Sequence, residues 1–104
     1  MLPQQYILNN ISSKVHQVIP DVEVLLYGSR ARGDWKEESD WDILILTNQD
    51  VNRNLKEAVW EAVYPISVEI ASFISPLIVK KDAWESHPGY YTLRKTITNE
   101  LKMI

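Results

Sequence analysis

The chain has no cysteine and only three glycines among its 104 residues. Without cysteine there is no disulfide framework and no thiolate metal site, as befits a reducing cytoplasm. No apolar run approaches the roughly 20 residues needed to cross a bilayer. The N-terminal stretch lacks the basic and apolar regions of a signal peptide. A cytoplasmic protein without a membrane partner is therefore expected. An excess of positive charge is also missing: 11 Lys and Arg stand against 14 Asp and Glu, a net charge of −3. Phosphate backbones select basic faces, so a long nucleic acid is not an expected partner. A single nucleotide held through a metal ion is compatible with this balance. Gly28-Ser29 is not followed by Gly-Lys-Thr, so there is no Walker loop, and no Gly-x-Gly-x-x-Gly occurs. The separated His16 and His87 give neither zinc spacing nor a triad. No repeat, low-complexity tract or linker is visible. The length suits one compact domain over residues 1–104.

What is present reads as a small α/β protein. Ile7, Leu8, Ile11, Val15, Val18 and Ile19 recur at helical spacing, predicting a helix over 3–19 between Pro3 and Pro20. "VEVLLY", 22–27, reads as a strand that Gly28 breaks. Residues 29–33 suit one helical turn and 34–39 a polar loop. Residues 41–46 are apolar after their opening acids and predict a central strand. Asp50 is the expected N-cap of a helix near 51–63, which Pro65 ends. "ISVEIASFI", 66–74, predicts a third strand. Residues 76–85 are ambiguous, and Pro88 opens a last helix carrying Tyr90, Leu93, Ile97 and Leu101. This order predicts helices packed on a small mixed sheet, an α/β (α+β) arrangement.

The chemistry concentrates in "LLYGSRARGDWKEESDWDILIL", 25–46. Side chains alternate along a strand, so Asp40 and Asp42 face one way and Trp41 the other. Two carboxylates aimed at one point repel unless a cation lies between them, and Mg²⁺ takes oxygen ligands of this kind. Ser39 is placed to cap the loop or to hold a carboxylate. Gly28 lets backbone approach a ligand closely, and N–H groups at a helix start attract phosphate. Arg30 and Arg32 add positive charge nearby. Glu69, the one charge in "ISVEIASFI", is the best candidate for a third acid. Each signal has an ordinary explanation: a Gly-Ser pair is usually a turn, and Asp-x-Asp at a strand mouth is often turn chemistry. Trp35, Trp41, Trp60 and Trp84 suit core or partner packing better than base stacking. It is the joint order of turn, gap, acids and strand that favours phosphoryl or nucleotidyl transfer.

Gly28-Ser29, ten intervening residues and Asp40-Trp41-Asp42 match without a gap a known signature. In it the stretch resembles the minimal nucleotidyltransferases of the DNA polymerase beta superfamily. Ala31-Arg32-Gly33 and Ser39-Asp40 fit the same wording. The resemblance implies a nucleotidyltransferase fold and Mg²⁺-dependent transfer of a nucleoside monophosphate, with two ions and ATP as donor. It implies that Gly28 and Ser29 bind triphosphate and that Asp40 and Asp42 ligate the metals. Glu69 stands where the family normally has an aspartate that helps activate the acceptor hydroxyl. Short members resemble antitoxins paired with HEPN-domain toxins, some of which transfer AMP to a tyrosine of that partner. The expected partners are thus a nucleoside triphosphate and a HEPN-domain protein. The glutamate at 69 supports a second reading, a module that neutralises its partner by covering it.

Overall fold

The computed structural model describes residues 3–104. Helix α1 (Gln4–Val18) leads into strand β1 (Val22–Tyr27) and the single-turn helix α2 (Ser29–Arg32). Strand β2 (Trp41–Thr47), helix α3 (Arg53–Ile70) and strand β3 (Ile74–Lys80) follow. Helix α4 (Lys81–Ser86), a 3-10 turn at Pro88–Tyr90, helix α5 (Tyr91–Ile97) and the two-residue strand β4 (Lys102–Met103) complete the order.

The four strands form one mixed sheet in the order β3-β2-β1-β4. β1 runs antiparallel to β2 and β4, while β2 and β3 run parallel. Strand periodicity divides β2 between two cores. Trp41, Ile43 and Ile45 point to the face covered by Ile7, Ile11 and Val15 of α1 and by Val59, Val63 and Ile66 of α3. Leu44 and Leu46 point to the other face, against Val79, Trp84 of α4 and Ile97 of α5. Burial on both sides explains why this strand is apolar throughout. Asp42 belongs to the second face, at its open end.

The first half of the chain follows the sequence reading closely. The second half departs from it. Helix α3 does not stop at Pro65 but runs through it to Ile70. The proline removes one backbone bond. The apolar stripe nevertheless continues through Val59, Val63, Ile66 and Ile70 at helical spacing, and its burial holds the helix together. The strand expected over 66–74 is consequently helix and turn, ended by Ala71 with φ 52°. The third strand begins at Ile74, and its pairing beside β2 sets Ser75 against Asp42. The N-cap of α3 is Asn52, whose side chain accepts from the Leu55 N–H at 2.9 Å. Asp50 instead pairs with Lys80 at 2.9 Å. Leu101 lies beyond α5, and β4 had no counterpart in the sequence reading.

Candidate functional site

The site forms where β1 ends and β2 begins. Their antiparallel register sets Tyr27 directly against Asp42, so the Gly-Ser turn emerges beside the acids. Gly28 has φ 78° and ψ −162°, a conformation open essentially to glycine alone. Glycine is required for a second reason. A Cβ at this position would lie 2.2 Å from Oδ2 of Asp42. Turn and acid are thus in direct van der Waals contact. Ser29 opens α2, and the Gly28 carbonyl accepts from the N–H groups of Ala31 and Arg32, each at 3.0 Å.

Charge at this point is crowded and unbalanced. Burial, then the Asp40 carboxylate, raise the pKa of Asp42, with Arg32 opposing and Glu100 adding to the rise. Burial also raises the Tyr27 hydroxyl, helped by Asp42 and Glu100. Glu100 reaches the site from the turn before β4. Because β4 pairs with Leu25 and Leu26, the residues just ahead of it come alongside the Gly-Ser turn. The Glu100 carboxylate accepts from the backbone N–H of Gly28. It also accepts from Nη1 of Arg32 at 3.2 and 3.3 Å. Arg32 holds Asp34 as well, Nε to Oδ2 at 3.3 Å. Glu100 and Tyr27 were not singled out from sequence. Only long-range strand pairing brings residue 100 to residue 28.

Three predicted site residues are placed elsewhere. Arg30 is buried and faces away from the acids. Its guanidinium lies between the rings of Trp35 and Trp41, 4.3 Å from each centroid. Its Nη2 donates to the carbonyls of Glu37 at 3.3 Å and Ser39 at 3.1 Å. A cation removed from water finds π-faces and carbonyl oxygens here, so Arg30 pins the loop rather than a phosphate. Ser39 holds no carboxylate. Its Oγ accepts from the Lys36 N–H at 2.8 Å and closes the loop, the first of the two roles open to it. Its carbonyl also accepts from Ser72 Oγ at 3.2 Å. Glu69 falls on α3 rather than on a strand, because the helix outruns Pro65. It lines a cavity of about 620 Å³ with Arg30, Trp35 and Trp41, on the side of β2 opposite Asp42. Among the described residues, no three of His, Cys, Asp and Glu converge as a group able to hold a metal ion. Asp40 and Asp42 thus stand as a pair, with Gly28 and Ser29 beside them.

The chain is similar to known proteins. A protein of Methanocaldococcus jannaschii that carries the provisional name of a protein adenylyltransferase is 41% identical over 58 residues. The match covers 56% of this chain and 59% of that protein, so the chain spans less than two thirds of its relative's length. Among solved structures, the fold matches a chain from the complex of tri-AMPylated Shewanella oneidensis HEPN toxin with MNT antitoxin. That match has a TM-score of 0.64 and 19% identity, covering 97% of this chain and 71% of the other. Among the described residues, no helix is long and apolar enough to cross a membrane. The family model of the nucleotidyltransferase domain matches residues 7–97, nearly the whole of the sequence. The chain therefore belongs to the nucleotidyltransferase-domain family.

Proposed function

We propose that this nucleotidyltransferase moves AMP from ATP onto a hydroxyl of a protein partner, and that a HEPN-domain toxin is that partner. The observation that carries the reading is the contact of Gly28 with Asp42, which makes the Gly-Ser turn and the acid pair one site. In this reading the backbone of Gly28 and Ser29 receives the triphosphate, and Asp40 and Asp42 hold Mg²⁺. The residues fit that ion. Mg²⁺ is usually held by one or two protein carboxylates, with water and substrate phosphates at its other positions. Two neighbouring carboxylates, one with its pKa raised by burial and by the other, are what such an ion would relieve. When bound, Mg²⁺ neutralises charge on the phosphates of the donor. The protein's own contribution is positioning. Gly28 fixes how near the phosphates come to the acids, and Arg32 supplies positive charge at the same edge. Glu69, on the far side of β2, takes no part.

A protein acceptor suits the open site. The acid pair lies at a strand mouth, and the cavity lies behind it. The names carried by the Methanocaldococcus relative and by the Shewanella complex support AMP as the transferred group and a HEPN protein as acceptor. A cytoplasmic setting, where ATP and Mg²⁺ are both abundant, belongs to the same reading. The test is to incubate the chain with ATP, Mg²⁺ and the HEPN protein encoded beside it, then weigh that protein by mass spectrometry. The reading expects one or more added AMP groups, lost in the Asp40→Asn, Asp42→Asn double variant. An unmodified partner that still binds the chain would overturn it. That outcome would favour the alternative of neutralisation by binding alone. The observation that speaks for this alternative is that, among the described residues, no three of His, Cys, Asp and Glu form a group able to hold a metal ion.

A further inference from the structure

We propose that Glu100 is a built-in competitor for the triphosphate, seated on the donors that the nucleotide needs. The inference rests on the reading of Gly28 as the phosphate-binding turn. The Glu100 carboxylate accepts from the N–H of Gly28, the residue that packs against Asp42. Both of its oxygens also accept from Nη1 of Arg32, the cation at this edge of the site. A carboxylate oxygen and a phosphate oxygen are equivalent acceptors for a backbone N–H and a guanidinium. One N–H directed at Glu100 cannot also serve a phosphate.

The seat is sheltered, since only 13% of the Glu100 side chain is exposed. Glu100 shares this edge with a second carboxylate, Asp42, and Arg32 is the cation it contacts. Glu100 lies in the turn between α5 and β4, outside any helix or strand. Its side chain can therefore leave by rotation about its own bonds without unravelling an element. Nucleotide binding then proceeds by exchange. The carboxylate gives up the Gly28 N–H, and Arg32 passes from Glu100 to the triphosphate. The site is thereby set against ligands too weak to displace an internal anion, such as a lone phosphate.

Calorimetric titration with MgATP, and separately with inorganic triphosphate, tests this on the wild-type chain, Glu100→Ala, Glu100→Gln and Glu61→Gln. Glu61 is exposed on α3, so its variant makes the same change in net charge outside the cradle. The proposal expects Glu100→Ala to bind both ligands roughly tenfold tighter, the size of one charge-assisted hydrogen bond no longer to be broken. Glu100→Gln keeps a neutral acceptor and should fall between Glu100→Ala and wild type. Glu61→Gln should match wild type. Unchanged or weaker binding by folded Glu100 variants, with wild type binding measurably, would overturn the proposal and leave the phosphate reading intact. Binding by none of the four chains would overturn both.

Discussion

Replacing Gly28 by alanine tests the closeness of turn and acid without any ligand. Two penalties are expected. The first is backbone strain at φ 78°, ψ −162°, a region worth about 1–3 kcal/mol to a residue bearing a Cβ. The second is the collision of that Cβ with Asp42, whose Oδ2, Cγ and Cβ lie 2.2, 3.2 and 3.4 Å away. A contact of 2.2 Å cannot persist, so Asp42 must leave its position. Gly33 provides the control. It too has a positive φ, 92°, but a Cβ there meets nothing within 4 Å. Gly33→Ala should therefore cost only the left-handed strain, about 1–2 kcal/mol. Gly28→Ala should cost roughly 2–4 kcal/mol, adding an off-rotamer or displaced acid to its own strain. In a domain of this size each kcal/mol moves Tm by roughly 4–8 °C. At the middle of each range the difference is about 1.5 kcal/mol, so Gly28→Ala should melt roughly 6–12 °C below Gly33→Ala. Repeating Gly28→Ala in an Asp42→Ala background isolates the collision, with an expected coupling of about 1 kcal/mol or more. Equal melting of the two glycine variants, or no coupling to Asp42, would refute the claim that turn and acid touch.

Two further perturbations address the charges around this contact. Burial and Asp40 raise the Asp42 pKa in the folded chain, so the fold holds that proton more tightly than the unfolded chain does. Stability contributed by the protonated form is complete below the ordinary carboxylate pKa and is lost as pH climbs from there through the raised folded value. Asp42→Asn should therefore melt higher than wild type at neutral pH without divalent ions. The gap should close toward acid pH, and a constant gap would contradict the assignment. Arg30→Lys keeps the charge but loses the planar fork that meets two rings and two carbonyls. It should cost about 2–3 kcal/mol in urea unfolding and should change Trp35 and Trp41 fluorescence, whereas neutral behaviour would place Arg30 outside the loop's framework.

The parts of the molecule legible in sequence are those fixed by local pattern. α1 and β1 follow from apolar spacing, and the Gly28 breaker follows from the backbone freedom it needs. The side of β2 on which Trp41 lies follows from period 2 alone. The errors share one origin in Pro65. Treating it as a terminator turned "ISVEI" into strand, and that placed Glu69 among the acids. The stripe Val59, Val63, Ile66 and Ile70 carried the opposing signal, since helical spacing continues across the proline. Arg30 was read as a phosphate ligand because an arginine just after a Gly-Ser turn looks like one when its surroundings are unseen. Glu100 had no local signal at all. Its place depends on a two-residue strand pairing with β1 from the far end of the described chain.

The central claim is that the Gly-Ser turn and the acid pair form one site joined by a metal-bound triphosphate. Calorimetric titration of ATP into the wild-type chain, with and without Mg²⁺, and into the Asp40→Asn, Asp42→Asn double variant measures it most directly. The account predicts that Mg²⁺ strengthens ATP binding by wild type at least about tenfold, the scale of one strong charge interaction, and that the double variant loses this gain. ATP affinity that is indifferent to Mg²⁺ in wild type, or a Mg²⁺ gain that survives removal of both acids, would contradict it.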